Sequence, residues 1–354
     1  MSQDIGLPWR DDDLTTALET QQQDAASLEA LDQRLAQNPA DVASWRRRGS
    51  ILVALNRYDE ALETFSHALS LDAEDAWTWA NYADMLEKLQ RADQALEAYR
   101  RATTLRPRFA VAWEHLSVAF RRRERYREAL AAADRALALE PTSAYAWNAR
   151  GAALLDLHRR AEAFKAWKRA VVLDPDFAIA WFNLGEAYRG RRRNRKALSA
   201  YHRALTLDPH YARAWLGQAE ALSARRHFDE AIVSFDQALQ LEGKLARAWH
   251  GKGSALQKRG RYDAALEAFA RARASDAQNP EVWNSQGAVL LRLHRDQEAL
   301  DSYERAAELA PDNGDAWAGQ YRALIRLGHD AEAYEAAKRA TRLNIAEALH
   351  RNRH

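Results

Sequence analysis

The chain of 354 residues contains no cysteine. That excludes disulfides, thiolate nucleophiles and zinc–cysteine sites. Glycine and proline are few, 14 and 8, so long flexible linkers are not expected. No apolar run approaches the roughly 20 residues that a membrane-spanning helix requires. Residues Met1 to Asp13 hold no apolar stretch of signal-peptide type, so no secretory leader is expected and a cytoplasmic location is. Catalytic signatures are also missing: there is no phosphate-cradling glycine loop, no H-E-x-x-H and no nucleophile elbow. The 11 histidines are scattered, and His115 and His158 read as surface or edge residues. The expectation is a protein that is not an enzyme and holds neither cofactor nor metal.

What the sequence does have is tryptophan in step. Trp45, Trp79, Trp113, Trp147, Trp181, Trp215, Trp249, Trp283 and Trp317 recur every 34 residues without a slip. Such a period marks a tandem repeat array. Other positions keep the step. Sixteen residues after each Trp stands alanine, Ala61 through Ala333, and seven further on stands alanine again, Ala68 through Ala340. Between the two lies a bulky residue in most copies: Phe65, Tyr99, Trp167, Tyr201, Phe235, Phe269 and Tyr303. Four residues after the Trp the side chain is small, as in Gly49, Gly151, Gly185, Gly253 and Gly287, until Tyr321 breaks the rule. Pro107, Pro141, Pro175, Pro209 and Pro311 close units.

These spacings are helical. Trp181, Gly185 and Tyr188 share one face of a first helix, and Ala197, Tyr201 and Ala204 share one face of a second. The polar stretch from Arg189 to Arg195 is the turn between them. Small residues on facing surfaces let the helices approach closely, and a larger side chain there would overpack the contact. Proline just past the second helix ends it. A helix pair of this kind cannot bury its apolar faces alone and stacks on its neighbours. The fold class is therefore all-α, an α-solenoid of stacked antiparallel helix pairs.

The Trp, the small residue, the paired alanines with their intervening aromatic and the closing proline, at a 34-residue period, resemble the tetratricopeptide repeat (TPR) family. The resemblance covers nearly the whole chain from residue 42. It implies a right-handed superhelix whose first helices line a concave groove that holds peptides or partner proteins. The nine units fall at 42–75, 76–109, 110–143, 144–177, 178–211, 212–245, 246–279, 280–313 and 314–344. Ahead of them, residues 1–22 read as an acidic, disordered segment. Residues 23–41 read as a capping helix with Leu28, Leu31 and Leu35 on one face. Residues 345–354 read as a C-terminal cap or tail.

The family geometry places the residues two before and one, two and five after each Trp on the groove. The candidates for binding a partner segment are Trp77, Asn81, Tyr145, Asn148, Ile179, Phe182, Asn183, Glu186, Arg213, Leu216, Glu220, Arg247 and His250. Tyr145, Ile179, Phe182 and Leu216 offer apolar contact, and asparagine can pair with a peptide backbone as donor and acceptor. Packing between neighbouring helices is the competing explanation for these apolar residues. The family's carboxylate-clamp subtype is not supported, because Ala152 and Gly217 stand where it needs Asn and Arg. Its asparagine-ladder subtype is matched only by Asn81 and Asn183.

Charge is uneven. Residues 1–41 carry nine acids against two arginines, net −7, which leaves +9 on the remainder of a chain whose net is +2. A basic ladder stands twelve residues after each Trp: Arg57, Arg91, Arg125, Arg159, Arg193, His227, Arg261, Arg295 and His329. Arg121, Arg122, Arg125, Arg159, Arg192, Arg193, Arg225 and Arg226 are candidates for an anion-binding edge. The simpler reading is complementation of the dipole at the end of the first helix. Few aromatics interleave with them, so nucleic acid is not the expected partner. Three functions follow in order of preference. The first is a non-catalytic scaffold or adaptor that binds a peptide or partner segment in the groove. The second is the targeting subunit of an enzyme complex whose catalysis lies on another chain. The third is an RNA- or polyanion-binding protein that uses the arginine edge.

Overall fold

The structure, a computed structural model, describes residues 17–351, with side chains over 27–343. Every element of regular structure among the described residues is an α-helix. The chain divides into two compact units, with the boundary in the chain between Leu173 and Asp174. The first holds α1 (Ala17–Gln37), α2 (Val42–Ala54), α3 (Tyr58–Leu71), α4 (Ala76–Lys88), α5 (Ala92–Leu105), α6 (Ala110–Arg122), α7 (Tyr126–Leu139), α8 (Ala144–Asp156) and α9 (Arg160–Leu173). The second holds α10 (Ala178–Arg189), α11 (Asn194–Leu207), α12 (Ala212–Ala224), α13 (Phe228–Leu241), α14 (Ala246–Lys258), α15 (Tyr262–Ser275), α16 (Pro280–Arg292), α17 (Asp296–Leu309), α18 (Gly314–Leu327) and α19 (Asp330–Arg351). Residues 1–16 of the acidic segment lie outside the described residues. α1 opens at Ala17 and packs on α2, with Leu28, Leu31 and Leu35 buried. α19 runs on without a break to Arg351.

Within each unit the even-numbered helices are the first helices of the repeats. Each packs on the odd-numbered helix that follows it, and that helix packs on the next even one. The recurring alanines are the reason for this closeness. All nine from Ala61 to Ala333 are fully buried, as are all eight from Ala68 to Ala306, with Ala340 nearly so. Tyr201 on α11 shows how the aromatic between them is seated. A Cβ added to Gly185 of α10 would lie 2.6 Å from its ring, and one added to Gly217 of α12 would lie 2.7 Å from it. The ring is held between two bare stretches of helix backbone.

Two features of the repeat are not written as residue types. First, each tryptophan indole donates from Nε1 to the carbonyl of the residue six before it, in the turn that enters the repeat. The acceptors are Pro39, Ala73, Pro107, Pro141, Pro175, Pro209, Gly243, Ala277 and Pro311, all at 2.8–3.1 Å. The indole thus ties the turn between repeats to the first helix. Second, every turn inside a repeat bends through a left-handed residue eleven after the Trp. Gly260 and Gly328 fill this position twice, but Asn56, Gln90, Glu124, His158, Arg192, Arg226 and His294 fill it elsewhere, with φ between 55° and 65°. A non-glycine residue in this region costs about 1–2 kcal/mol, which the helices on either side sustain.

Candidate partner-binding faces

In the first unit the expected groove residues come together across α4, α6 and α8, with others that the sequence reading left out. Trp77 lies under the Arg46 guanidinium, 5.3 Å from its ring centroid. Asn81 is buried, and its amide donates to the Trp77 carbonyl of its own helix at 2.8 Å. Asp84 lies at the centre of a buried polar cluster. Its carboxylate accepts from the Tyr99 hydroxyl and lies 3.0 Å from His115 Nδ1. The His115 ring stacks on Tyr145 with centroids 5.7 Å apart. Glu114, also buried, accepts from the Ser143 hydroxyl. His115 is therefore a core residue and not the surface residue expected from sequence, because three first helices close over it. Asn148 is half-buried on the same helix as Tyr145.

The cluster shifts the titration of its members. Burial drives His115 down, but the Asp84 carboxylate, by attraction and hydrogen bond, and Glu114 outweigh it and hold the imidazole above its usual range. Burial raises the Glu114 carboxyl against the hydrogen bond from Ser143. Burial likewise raises the Tyr145 hydroxyl. Such a cluster confers rigidity because its groups are costly to expose singly.

In the second unit the first-helix face is a row of alternating charge. Glu186 on α10 accepts from Arg189 at 2.6 Å and from the Tyr201 hydroxyl. Arg189 reaches on to Glu220 of α12 at 3.2 Å, and Glu220 takes Arg247 of α14 at 2.5 Å. Burial pushes the Glu186 carboxyl up, but its donors Arg189 and Tyr201 prevail and hold it below the usual carboxylate range. Glu186, Glu220 and Arg247 were expected on this face; Arg189, three residues after Glu186, completes the row. The repeat step from Glu186 to Glu220 with an arginine one turn on was the available signal.

The apolar candidates of this unit are seated differently. Phe182 is 6% exposed. Its ring packs on Tyr201 and Tyr211, with centroids 6.1 and 5.0 Å away. Arg213 covers it, with the guanidinium carbon 5.3 Å from the centroid. Arg213 is thus an exposed cation on an aromatic lid, while Ile179, Asn183 and Leu216 are half-buried. His250 is hydrogen-bonded with Ser285 at 3.0 Å, and burial lowers its pKa.

On the turn edge of the first unit the arginines are paired. Arg121 meets Asp156 at 2.7 Å, Arg122 meets Glu87, and Arg123 meets Asp93 at 2.9 Å. Arg125 and Arg159 close on Glu128 and Glu162, three residues on in each case. Arg192, Arg193, Arg225 and Arg226 belong to the second unit and have no such partner among the described residues. No group of three or more His, Cys, Asp or Glu side chains among the described residues could hold a metal ion. No described helix is long and apolar enough to cross a membrane.

Models of the tetratricopeptide repeat match residues 42–85, 82–144, 178–211 and 250–316, and a TPR repeat model matches 160–190. No curated protein matches the chain. Among solved structures, the Pseudomonas aeruginosa pilF protein is similar in fold at 18% identity, over 60% of this chain and 97% of its own, with a TM-score of 0.55. YrrB, described as a TPR protein with an unusual peptide-binding site, is 24% identical over 54% of this chain and 98% of its own, with a TM-score of 0.41. The MamA protein is 24% identical over 49% of this chain and 96% of its own, with a TM-score of 0.40. The period, the helix pairs, their alanine contacts and the matched repeats agree: the chain belongs to the tetratricopeptide repeat family and is built as a protein–protein interaction scaffold.

Proposed function

We propose that the protein is an adaptor that holds a segment of a partner protein on the first-helix face of its second unit. The observation that carries this reading is the row Glu186–Arg189–Glu220–Arg247, which links α10, α12 and α14. Its members are fixed by one another, so a ligand meets charges that need little further ordering, and a preorganised site loses less entropy on binding. A guanidinium has five donors, and the pairs within the row use only some of them. The rest are available to the carbonyls and carboxylates of a polypeptide. Alternating sign favours a partner of complementary sequence and one direction of binding. Arg213 on its aromatic lid and half-buried Leu216 supply apolar contact beside the row.

The test is capture of the partner from the native host with three versions of the full chain. Arg213→Glu with Arg247→Glu changes two exposed side chains of this face, and Val233→Glu changes an exposed residue of α13. A partner retained by wild type and Val233→Glu but lost from the double variant supports the reading. A partner retained equally by all three overturns it.

A further inference from the structure

Within the second unit, two successive turns carry cations at positions where several other repeats carry the carboxylates that close their arginines. The ladder residue twelve after each Trp forms the start of the second helix, and the residue three beyond it is glutamate in six of nine repeats. In four of these six the structure shows arginine closed on that glutamate, as in Arg295 with Glu298 at 2.6 Å. At Arg193 the residue three beyond is Lys196. A second device pairs an arginine ten after the Trp with an aspartate 30 residues earlier: Arg123 with Asp93 and Arg259 with Asp229, at 2.9 and 2.8 Å. At Arg225 the residue 30 earlier is Arg195. Both positions carry a carboxylate in several other repeats and a cation here.

The result is a cluster of Arg192, Arg193, Arg195, Lys196, Arg225 and Arg226, in which no member has a carboxylate partner among the described residues. All but Arg225 are exposed. The two turns belong to neighbouring repeats whose first helices, α10 and α12, touch, so they lie about 10 Å apart. Like charges at this spacing repel, and an anion that bridges them relieves the repulsion. Planar guanidinium groups match carboxylates in two-point hydrogen bonds.

We infer that this cluster is a second docking site, separate from the first-helix face, for a short run of carboxylates in a partner protein. The extent of the cluster selects that class. On the second of these turns His227 is already closed on Glu230, and on the turns that follow Arg259 pairs with Asp229, Arg295 with Glu298 and Arg326 with Asp296. A polynucleotide needs a continuous basic track and faces for its bases to stack on. Here the track is two turns long, and the neighbouring ring, Tyr188, is half-buried with Lys196 beside it. An extended run of about four to six acidic residues has the length to span both turns.

The experiment measures binding of a fluorescent octapeptide of alternating Glu and Asp to the full chain by anisotropy at low salt. A Gln/Asn octapeptide and an oligothymidylate of equal charge serve as comparisons. Two variants preserve the fold by using what the chain itself uses at the same repeat positions. Arg195→Asp with Lys196→Glu restores both missing carboxylates. Arg192→Gly with Arg226→Gly adopts the residue found at Gly260 and Gly328, where φ is likewise positive. The expected result is that each pair of substitutions weakens the acidic peptide by about tenfold or more, with an undiminished melting temperature, and that Arg213→Glu leaves it unchanged. Failure of the wild type to bind the acidic peptide overturns the inference. So do equal affinity of the Gln/Asn peptide, unchanged affinity in both double variants, or tighter binding of the oligothymidylate at the same salt. Loss through Arg213→Glu alone would instead assign the peptide to the first-helix face.

Discussion

Replacing Gly185 by alanine sets two opposing effects against each other. Alanine is favoured over glycine inside a helix by about 1 kcal/mol. Its Cβ, however, would lie 2.6 Å from the Tyr201 ring, and the ring cannot retreat freely because the backbone at Gly217 stands on its other side. The ring would have to recede by roughly 1 Å to restore an ordinary contact. Overpacking of this kind costs about 1–3 kcal/mol, so the net effect of Gly185→Ala is a loss of about 1 kcal/mol. The sign should reverse once the ring is removed. In a Tyr201→Ala background, itself worth a loss of about 3–5 kcal/mol, Gly185→Ala should stabilise by about 1 kcal/mol. The coupling between the two positions is then about 2 kcal/mol. Hydrogen exchange of the α10 and α11 amides is the appropriate assay, because an array of repeats need not unfold in one step. Equal effects of Gly185→Ala in the two backgrounds would refute the account of the glycine as a socket for the ring.

Two further outcomes follow from the geometry. Trp181→Phe keeps an aromatic ring against the apolar cluster of α10 and α11 but deletes the donor to the Pro175 carbonyl, 2.8 Å away; exchange at the start of α10 should report a local loss of about 1 kcal/mol, and no loss would show that the indole does not tie the turn. His115 titrates above its ordinary value of 6.5 in the folded chain, so its contribution is complete below that value and is lost as pH rises through the folded one. Glu114, raised by burial, acts in the same direction from its ordinary 4.5 upward. Protection of the α6 amides should therefore fall as pH rises above 6.5 in the wild type, and His115→Gln should flatten that fall. An identical profile in the variant would remove His115 as its source.

The architecture is legible in the sequence because it is repeated. A single Trp181 or Ala197 says little, but nine copies in step identify two helices, their contact faces and the turns. Features that depend on the backbone were less visible. The left-handed residue of each turn is announced by glycine only at Gly260 and Gly328, since flanking helices impose the same bend on Arg192 or His158. The indole clamp links a side chain to a carbonyl, which has no sequence of its own. The site residues were legible where charge repeats with the period, as in Glu186 and Glu220. They were misjudged where closure of three helices decides burial, as with His115. Phe182, expected to line a groove, is seated between Tyr201, Tyr211 and the Arg213 guanidinium. The arginine edge divides in a way that composition conceals. The triplets Arg121–Arg123 and Arg191–Arg193 are identical in sequence but stand two positions apart in the repeat, and Asp156, Glu87 and Asp93 meet the three arginines of the first.

The claim that the second unit receives a partner on its first-helix face is tested most directly by where that partner lies. A photoreactive benzoylphenylalanine in place of Arg213 and, separately, in place of Val233 places the probe on an exposed position of α12 or α13, Val233 being 60% exposed. After irradiation in the native host, the probe at residue 213 should crosslink a partner protein that the probe at residue 233 does not. Crosslinks to the same protein from residue 233 alone, or from neither position, would contradict the assignment.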